Sequence, residues 1–509
     1  MILERLSHWA SRTPQRPFVV TAERTYSYAE IHSLSLRCAG MLRQRGIRKG
    51  DHVALISGNS AAFLVAWFGI NAAGAVAVCL NDQLMGDSID YLVAQSDSTL
   101  IMADQEWLSS RRGDLLEGRE ELPFIVIDDV AFLGELAVLP ESEVATIAPH
   151  DVCTILYTSG TTGRPKGVMC AHGGYAATGV QSARILELTA EDRIFVYLPL
   201  YHTNPQTYAV MSALTVGASL GLRRRFSATS FFDDAKALQA TGCTFVGTVL
   251  AILAARYSKP MRDHTMRFTI GGGTTAELAQ TVEDRFGFRV HELYGMTEVG
   301  GWVSGSTARD HKLGANGRVR PDMQVQIVDP DDNPLSTGER GEIVVRPREP
   351  NRILLGYYNK PDEFAKASRN FWFHTGDVGS FDADGYLYFH GRTKELIRRG
   401  GEMVSPQELE GRLLKLDGIR DCAIVGVADP IMGEEIKAVV VTDGSFDLHD
   451  VRRRLADQVP SYMLPRFAER VATIPRTQTE KILRRELQYI DERVVDLTNN
   501  QSEKGRNLK

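Results

Sequence analysis

The sequence predicts an α/β protein in which a β-rich unit and a small α+β domain follow a larger α/β region. Strand-like apolar runs alternate with helical patterns over the first two thirds of the chain, which is typical of helices layered on largely parallel sheets. From about residue 317 to residue 390, period-2 runs joined by turn residues predict β structure. After about residue 394, helix and strand patterns mix, which predicts a small α+β domain.

Buried strands of the α/β region are expected at five apolar runs, residues 51–58, 98–104, 124–129, 152–159 and 193–200. The amphipathic stretch "YAEIHSLSLRCAGMLRQRG" (28–46) predicts a helix that stops at its glycine. Residues 61–80 carry no charge over a length that could span a membrane. Because Asn71 and Gly74 interrupt this run, it predicts a helix, a tight turn and a buried strand, and no membrane span is expected.

The later part of the chain predicts one hairpin and a compact terminal domain. Residues 324–347, "QVQIVDPDDNPLSTGERGEIVVRP", contain two alternating runs joined by Asp, Asn, Pro and Gly. "SPQELEGRLLKL" (405–416) predicts a helix, and residues 421–429 and 436–443 predict strands. We therefore expect an N-terminal domain over residues 1–393 and a C-terminal domain over 394–509, with a polar tail from about residue 497.

Composition narrows the function classes. The chain has 509 residues, of which 43% are hydrophobic and 24% charged, as in ordinary soluble proteins. A formal net charge of −6 and a pI near 6.1 argue against nucleic acid as the main partner. The six cysteines are scattered without a C-x-x-C pair, and the N-terminus lacks the apolar core of a secretory signal, so a cytoplasmic protein with reduced thiols is expected.

The stretch "YTSGTTGRPKG" (157–167) combines glycines, hydroxyl side chains and one lysine, Lys166. Glycine lets main-chain N–H groups approach a ligand closely, and such loops often bind phosphate. The stretch differs from a P-loop, because Arg164 and Pro165 separate Gly163 from Lys166 and Gly167 stands where Ser or Thr is required. It therefore indicates a phosphate loop of another kind, with a flexible loop as the alternative.

Four later motifs place chemically useful residues in polar or glycine-rich surroundings. "ELYGMTEVGG" (292–301) offers an aromatic ring, Tyr294, to a nucleobase and a carboxylate, Glu298, to magnesium. "FHTGDVG" (373–379) places Asp377 in a turn where its carboxylate can accept both hydroxyls of a ribose. "GRTKELIRRGGEMVSPQELE" (391–410) joins Arg392 to a Gly-Gly pair, and "RTQTEKILRREL" (476–487) presents Lys481. Taken singly, each motif also fits a turn, a linker or a surface lysine.

Together and in this order, the five motifs resemble the core motifs of the adenylate-forming superfamily of acyl-CoA synthetases, amino-acid adenylation domains and firefly luciferase. The resemblance extends from about residue 10 to about residue 490. It implies a large N-terminal domain of two α/β subdomains plus a distorted β-barrel subdomain, followed by a small mobile α+β domain. "FSATSFF" (226–232) and "PLYHTNPQ" (199–206) make the chain most similar to crotonobetaine/carnitine-type bacterial acyl-CoA ligases.

The resemblance implies nucleotide-binding roles for the matched residues. The opening loop would wrap the β- and γ-phosphates of ATP with Thr158, Ser159, Gly160, Thr161, Thr162, Gly163 and Lys166. Around the adenine would lie Tyr294, Gly271, Gly272, Gly273, Glu292 and Gly295. Thr297 would contact the α-phosphate, Glu298 would bind Mg²⁺, and Asp377 with Arg392 would hold the ribose.

The remaining implied roles concern the acid, CoA and domain movement. Lys481 would bridge the substrate carboxylate and the α-phosphate, and Lys394 would be the hinge between the domains. Gly400 and Gly401 would line the tunnel for the pantetheine arm of CoA. His202 would lie near the carboxylate and the approaching thiol, with an ordinary loop histidine as the alternative.

The sequence also departs from the family pattern. Glu480 replaces the usual glycine before the last lysine, and Glu292 stands where relatives often carry Asn or Gln near the adenine amino group. The segment "YHTNP" around His202 lacks the aspartate that holds the ammonium group in amino-acid-activating relatives. This difference argues against an α-amino acid substrate.

These observations predict an AMP-forming acid–thiol ligase whose substrates are a carboxylic acid, ATP and CoA. The alternatives are a ligase that loads a carrier protein, a luciferase-like oxidation of the acyl-adenylate, and an inactive binding protein. We expect the acyl pocket at residues 205–210 and 245–253, but short-chain, aryl, carnitine-like and bulky polycyclic acids all fit the sequence. A homodimer is left open.

Overall fold

The structure is a computed structural model that describes residues 1–84, 87–111, 122–158, 164–393, 395–399, 402–444, 446–476 and 482–498. The chain divides into two compact units. The first unit comprises Met1–Gln326, Val344–His374 and Phe381–Tyr388, and the second comprises Ile327–Ile343, Thr375–Ser380 and Phe389–Lys509. The predicted domain boundary after Thr393 stays a prediction.

The described residues contain fourteen α-helices. They are α1 (Ile2–Arg12), α2 (Tyr28–Gln44), α3 (Ala61–Ala72), α4 (Asp87–Gln95), α5 (Gln105–Arg111), α6 (Ala131–Ala137), α7 (His172–Ile185), α8 (Met211–Val216), α9 (Phe231–Ala237), α10 (Gly247–Arg256), α11 (Ala276–Phe286), α12 (Pro361–Ala367), α13 (Pro406–Leu413) and α14 (His449–Leu455). A π-helix covers Pro205–Val210, and short 3₁₀ helices cover Thr297–Val299, Ser461–Met463 and Arg484–Leu487.

The described strands alternate with these helices. Those of the α/β region are β1 (Pro17–Val20), β2 (Thr25–Ser27), β3 (His52–Ile56), β4 (Val76–Leu80), β5 (Ser98–Asp104), β6 (Phe124–Ile127), β7 (Val152–Thr158), β8 (Lys166–Ala171), β9 (Arg193–Val196), β10 (Ser219–Leu222), β11 (Gly242–Val246), β12 (Phe268–Gly272), β13 (Arg289–Tyr294), β14 (Ser304–Gly305) and β15 (Arg318–Val319). The later strands are β16 (Met323–Val328), β17 (Gly341–Pro347), β18 (Gly356–Tyr357), β19 (Ser368–Arg369), β20 (Trp372–Phe381), β21 (Leu387–Arg392), β22 (Ile397–Arg399), β23 (Glu402–Val404), β24 (Ile419–Asp429), β25 (Gly433–Thr442), β26 (Phe467–Arg470) and β27 (Val495–Asp496).

Two α/β sheets form most of the first unit. One has the strand order β18-β8-β7-β4-β3-β5-β6, with β7, β4, β3, β5 and β6 parallel. The other has the order β15-β14-β13-β12-β11-β9-β10-β1-β2, with six parallel strands from β13 to β1. The loops that follow β9, β11, β12 and β13 therefore leave the same edge of the second sheet, the edge where α/β proteins bind ligands.

Helix α3 shows how the uncharged run at residues 61–80 folds. Ser60 caps the helix by accepting a hydrogen bond from the backbone N–H of Phe63 at 3.0 Å, and every residue from Ala61 to Ala72 is buried. Gly74 then turns the chain with φ of 80°, and β4 follows at Val76–Leu80, also buried. The predicted helix, turn and buried strand are confirmed. Among the described residues, no helix is both long enough and apolar enough to cross a membrane.

A third sheet contains β16, β17, β20 and β19 in that order, with β21 beside β20. Strands β16 and β17 are the two arms of the hairpin predicted at residues 324–347. The second unit also has a six-stranded sheet, in which β24 and β25 pair antiparallel and β26 runs parallel to β25. Helices α13 and α14 contribute Leu409 and Val451 to its core. The predicted α/β class, β-rich part and small α+β part are confirmed, and residues 499–509 lie outside the described residues.

Candidate active site

Thr158, Thr297 and Glu298 lie at the carboxyl ends of two strands from different sheets. Thr158 is the last residue of β7, and Thr297 begins the short 3₁₀ turn after β13. The hydroxyl of Thr158 donates to Glu298 Oε1 at 3.0 Å, and the hydroxyl of Tyr357 donates to the same oxygen at 3.3 Å. Only 5% of Glu298 is exposed, so its carboxyl group is held in one place among hydroxyl groups.

This oxygen-rich cluster fits the way proteins bind Mg²⁺, through few carboxylates with the remaining ligands supplied by phosphates and water. In the part of the chain that the structure describes, no group of three or more His, Cys, Asp or Glu residues could hold a metal ion. If Glu298 binds Mg²⁺ in this way, nucleotide phosphates and water would be further ligands of the ion.

Lys166 begins β8, on the strand that pairs with β7 through Thr158. Its ammonium group lies 2.7 Å from Glu363 Oε2 on α12 and 5.0 Å from the ring centre of Tyr357. Lys366 also contacts Glu363, at 3.0 Å, and the two lysines lower the pKa of Glu363 to about 2. Sequence analysis did not find Glu363, because no local pattern indicates a partner almost two hundred residues away.

Glu292 lies on β13, two residues before Tyr294, with its side chain inside the protein. Its Oε1 accepts hydrogen bonds from the backbone N–H groups of Gly273 at 2.7 Å and Thr274 at 3.3 Å, and from Asn316 Nδ2 at 3.5 Å. Its Oε2 is buried without a hydrogen-bond partner among the described residues. Burial raises the pKa of Glu292 to about 8, against the lowering effect of the two backbone donors.

The glycines at the end of β12 let the backbone come close to neighbouring segments of the chain. A Cβ atom on Gly271 would lie 2.0 Å from the carbonyl oxygen of Phe245, which no side chain could tolerate. Gly273 has φ of 91°, in the left-handed region that favours glycine. Tyr294 ends β13 with 5% of its surface exposed, and Gly295 follows it and is exposed. These residues and Glu292 line one edge of the parallel sheet.

His202 lies in the segment after β9, which Asn59 holds from the neighbouring sheet. Asn59 Nδ2 donates to the carbonyl oxygens of Leu198 at 3.0 Å and Arg223 at 3.1 Å, and its Oδ1 accepts from the N–H of Leu200 at 2.8 Å. Asn59 is 4% exposed, so these bonds are protected from water. Asn59, a polar residue three positions after the buried strand β3, was a signal in the sequence that the predictions above did not include.

The π-helix at Pro205–Val210 holds the same segment from its other end. Gln206 Nε2 donates to the carbonyl oxygen of Leu200 at 2.7 Å, and Gln206 Oε1 accepts from the hydroxyl of Tyr175 at 2.6 Å. Gln206 has no exposed surface. Single-turn π-helices are rare and frequently lie at functional sites. This turn coincides with one of the two stretches predicted to form the acyl pocket.

A hydroxyl pair connects the His202 segment to the 3₁₀ turn that carries Glu298. Thr203 Oγ1 donates to Thr297 Oγ1 at 2.9 Å, and the rings of His202 and Tyr201 lie 4.6 Å apart. Within the first unit, the structure thus brings Thr158, Thr297 and Glu298 together, with the His202 segment bonded to them. That these residues bind nucleotide and acid stays a prediction.

Asp377 and Arg392 lie together in the second unit. Asp377 is 3% exposed, and Arg392 Nε lies 3.3 Å from its Oδ1. The turn around Asp377 is fixed by Glu342, which accepts from the N–H of Gly376 at 3.0 Å, and by Thr393, whose N–H donates to the carbonyl oxygen of Gly376 at 2.8 Å. A ribose-binding role for the pair stays a prediction.

Several predicted site residues lie outside the described residues. These are Ser159, Gly160, Thr161, Thr162, Gly163, Lys394, Gly400, Gly401 and Lys481. Their roles remain those that the resemblance implies.

The sequence matches the family described as AMP-binding enzyme over residues 6–358 and the AMP-binding enzyme C-terminal domain over residues 408–481. It is similar to the crotonobetaine/carnitine–CoA ligase of Salmonella typhi, with 30% identity over 481 residues that cover 91% of this chain and 93% of the relative.

Two solved structures resemble the fold over nearly its whole length. The o-succinylbenzoate CoA synthetase of Bacillus subtilis, in complex with its acyl-adenylate intermediate, has a TM-score of 0.85 and 26% identity, covering 96% of this chain and 98% of that one. ATP-bound MatB of Rhodopseudomonas palustris has a TM-score of 0.86 and 26% identity, with the same coverage. The chain therefore belongs to the AMP-binding enzyme family, as its motifs predict, and its enzyme class is that of the AMP-forming acid–thiol ligases.

Proposed function

We propose that the protein activates a carboxylic acid with ATP as an acyl-AMP, releases pyrophosphate, and then transfers the acyl group to CoA. Membership of the AMP-binding family supports the use of ATP, and the similarity to CoA ligases supports CoA as the acceptor. The observation that carries the proposal is the buried Glu298 carboxyl group, which Thr158 holds next to Thr297 in the turn after β13, the strand of Glu292.

The two steps follow from the chemistry of a carboxylate. Its negative charge repels nucleophiles, and its oxide is a poor leaving group. In the first step a carboxylate oxygen attacks the α-phosphorus of ATP, and the bond to pyrophosphate breaks. In the second step the CoA sulfur attacks the acyl carbon, its proton is lost, and AMP leaves. Both reactants of the first step are anions, so the site must stabilise developing negative charge.

The described residues can supply part of that stabilisation. The hydroxyl of Thr297, which accepts from Thr203, can donate to a phosphate oxygen, and that of Thr158 would do so on leaving Glu298. Glu298 would hold Mg²⁺, which supplies Lewis-acid neutralisation of phosphate charge when bound. The buried Oε2 of Glu292, which has no hydrogen-bond partner among the described residues, can accept a hydrogen bond from the amino group of adenine. Lys166 would leave Glu363 to reach a phosphate, and Lys481 would supply a second cation beside the carboxylate.

Lys481→Ala tests the adenylation step. Without the ammonium group, the charge between carboxylate and α-phosphate is not neutralised, so acyl-AMP formation should fall by about 10²–10³-fold. Thioester formation from supplied acyl-AMP should change much less. Lys236→Ala is the matched control, because this lysine is exposed and pairs only with Asp263 among its described contacts. Equal losses in both half-reactions would show that Lys481 does not act in adenylation.

The acid substrate needs a separate experiment. The relatives are named for different acids, crotonobetaine or carnitine in one and o-succinylbenzoate in another, so the similarity alone does not select one. Pyrophosphate release across short-chain, aryl, carnitine-like and polycyclic acids would identify the class that the protein prefers. If none of these acids causes pyrophosphate release, the proposal that the protein is a ligase for them is contradicted.

The acceptor and the remaining alternatives are separated by product analysis. CoA and a phosphopantetheinylated carrier protein should be compared as acceptors of the same acyl-AMP, and we expect CoA to be preferred. Light emission with a luciferin would indicate the oxidative alternative, and absence of pyrophosphate release would indicate an inactive binding protein. The homodimer and the cytoplasmic location stay predictions.

A further inference from the structure

Two arginine–carboxylate pairs anchor the chain on both sides of residues 477–481 in the second unit. Arg476 and Ile482 form an antiparallel bridge, and the N–H of Leu483 donates to the carbonyl oxygen of Pro475 at 2.9 Å. The backbone before residue 477 and the backbone after residue 481 are therefore paired with each other. Lys481 lies directly before this paired position in the sequence.

Arg484 makes the more buried of the two anchors. Its Nη2 donates to Glu410 Oε2 at 3.0 Å, its Nη1 contacts the other oxygen of Glu410, and Nη1 also donates to the carbonyl oxygen of Ile424 at 2.7 Å. The side chains of Arg484 and Glu410 are 15% and 11% exposed. Two-pronged pairs of this type fix direction as well as distance, because both hydrogen bonds must align.

Glu410 is itself fixed to the sheet. It lies on α13, and its Oε1 accepts from the backbone N–H of Ile424 on β24 at 2.8 Å. Arg484 therefore joins the 3₁₀ helix at Arg484–Leu487 to both α13 and β24. Burial by itself lowers the pKa of Arg484, but the hydrogen bond and charge of Glu410, with a smaller contribution from Glu395, together raise it, so the guanidinium stays charged.

The second anchor is more exposed. Arg476 Nη2 lies 2.7 Å and 3.0 Å from the two carboxylate oxygens of Asp421, with side chains 25% and 34% exposed. Exposed pairs contribute little energy because solvent screens them. Of the two anchors, the Arg484–Glu410 pair is the one that can hold the chain rigidly.

We infer that Arg484, held by Glu410, is a positioning residue for Lys481. This inference rests on the proposed function, in which Lys481 neutralises charge during adenylation. A lysine side chain is long and flexible, so the position of its ammonium group depends on where its backbone is fixed. Misplacement of a reacting group by about 1 Å can reduce a rate by about 10²-fold. Removing the anchor three residues away should therefore weaken adenylation without touching the reactants.

Arg484→Lys tests the inference, because it keeps the charge and loses the second hydrogen bond to Glu410. We expect acyl-AMP formation, measured by pyrophosphate exchange, to fall by about 10- to 100-fold. Thioester formation from supplied acyl-AMP and CoA should stay within about twofold, since Lys481 is proposed to act only in the first step. Glu410→Gln should also reduce adenylation. Because this variant introduces no lysine, a loss in both variants could not be caused by the new side chain at position 484.

Arg452→Lys is the matched control. Arg452 is another partly buried arginine of the second unit, which donates to the carbonyl oxygens of Leu464 at 3.2 Å and Pro465 at 2.9 Å. This variant measures what losing a buried guanidinium does to the unit in general. If Arg484→Lys affects both half-reactions alike, or affects adenylation no more than Arg452→Lys does, the positioning role is wrong.

A double variant separates this inference from the proposed function. In a Lys481→Ala background, Arg484→Lys should cause no further loss of adenylation, because residues that act as a unit are not additive. If Arg484→Lys lowers adenylation in this background by the same factor as in the parent protein, the inference is overturned. If Lys481→Ala itself leaves adenylation intact, the proposed role of the lysine fails. If Lys481→Ala abolishes adenylation and Arg484→Lys does not reduce it, only the positioning inference fails.

Discussion

At the scale of single residues, Glu292 is a carboxyl group of the candidate site whose burial and backbone hydrogen bonds shift its pKa in opposite directions. Its carboxyl group is buried, only one of its oxygens has a hydrogen-bond partner among the described residues, and burial raises its pKa from 4.5 to about 8. Between these two values the folded protein binds a proton that the unfolded chain has released. Stability contributed by this group is therefore fully present below about pH 4.5 and is lost as pH rises through about 8.

Glu292→Gln should remove this pH dependence, because the amide keeps the shape of the side chain and does not ionise. Between pH 5 and pH 9, the free energy of unfolding of the parent should fall relative to that of the variant by an amount on the order of a few kcal/mol. Melting temperatures across this range, with Glu191→Gln as an exposed control, check the prediction. Parallel pH profiles for parent and Glu292→Gln would mean that Glu292 ionises as an ordinary exposed carboxyl group does.

Glu298→Gln keeps an oxygen that can accept from Thr158 and removes the charge proposed to hold Mg²⁺. The Mg²⁺ concentration for half-maximal pyrophosphate release should rise by about tenfold or more, the effect seen when even a supporting group around a metal is lost. The melting temperature should change little, since both hydroxyl contacts can be kept. An unchanged Mg²⁺ titration would remove Glu298 from the metal site.

At this scale the motifs in the sequence indicated candidate residues, whose binding roles stay predictions, but they did not indicate the contacts between those residues. Thr158 and Glu298 belong to separate motifs, and the structure joins them by a hydrogen bond across 140 positions. Glu363 and Asn59 belong to no motif, because their roles arise only when the fold brings Lys166 and the His202 segment to them. Long-range polar partners of this kind leave no local periodicity to detect.

At the scale of elements, continuous apolar runs predicted α3, β4 and the α/β strands, because an element that is covered on all sides needs apolar residues along its whole length. The π-helix at Pro205–Val210 was not predicted, since a single turn of changed pitch has no recognisable period. Its formation depends on tertiary contacts, chiefly those of Gln206 with Leu200 and Tyr175. Sequence did indicate this stretch as part of the acyl pocket, which stays a prediction.

Gln206→Ala should loosen this element. The substitution leaves the buried carbonyl oxygen of Leu200 and the hydroxyl of Tyr175 without these partners, and each such loss costs about 1–3 kcal/mol. We expect a lower melting temperature and slower acyl-AMP formation, because the His202 segment is no longer held at Leu200. Gln105→Ala is the control, since Gln105 is exposed and bonds only Ser109 in the described contacts. Equal melting temperatures for the two variants would contradict the prediction.

At the scale of the whole molecule, the candidate residues are distributed over both compact units. Thr158, Glu292, Thr297 and Glu298 belong to the first, whereas Asp377, Arg392 and the anchors around residues 477–481 belong to the second. The two proposed half-reactions have different reacting centres, the α-phosphorus and then the acyl carbon, and enzymes commonly use a movement of domains to bring different groups to such centres in turn. The resemblance assigns the hinge of that movement to Lys394.

Lys394→Pro tests the hinge by restricting the backbone. Proline fixes its own φ near −65° and also limits the preceding residue, here Thr393, whose N–H bonds the carbonyl oxygen of Gly376 at 2.8 Å. If a few torsions near residue 394 absorb the movement, the variant should retain one arrangement and lose most of the other. We expect acyl-AMP formation to survive better than transfer to CoA, with a difference of about tenfold or more.

Lys394→Ala separates the backbone effect from the loss of charge, because alanine removes the ammonium group and leaves the torsions free. The rates of both half-reactions of this control should stay close to those of the parent. The proline variant should differ from the parent in the ratio of acyl-AMP formation to transfer to CoA. A loss of stability alone would lower both rates together in proportion to the folded fraction. If the proline variant matches the parent in both half-reactions, the chain near residue 394 does not act as the hinge, and the movement must be absorbed elsewhere.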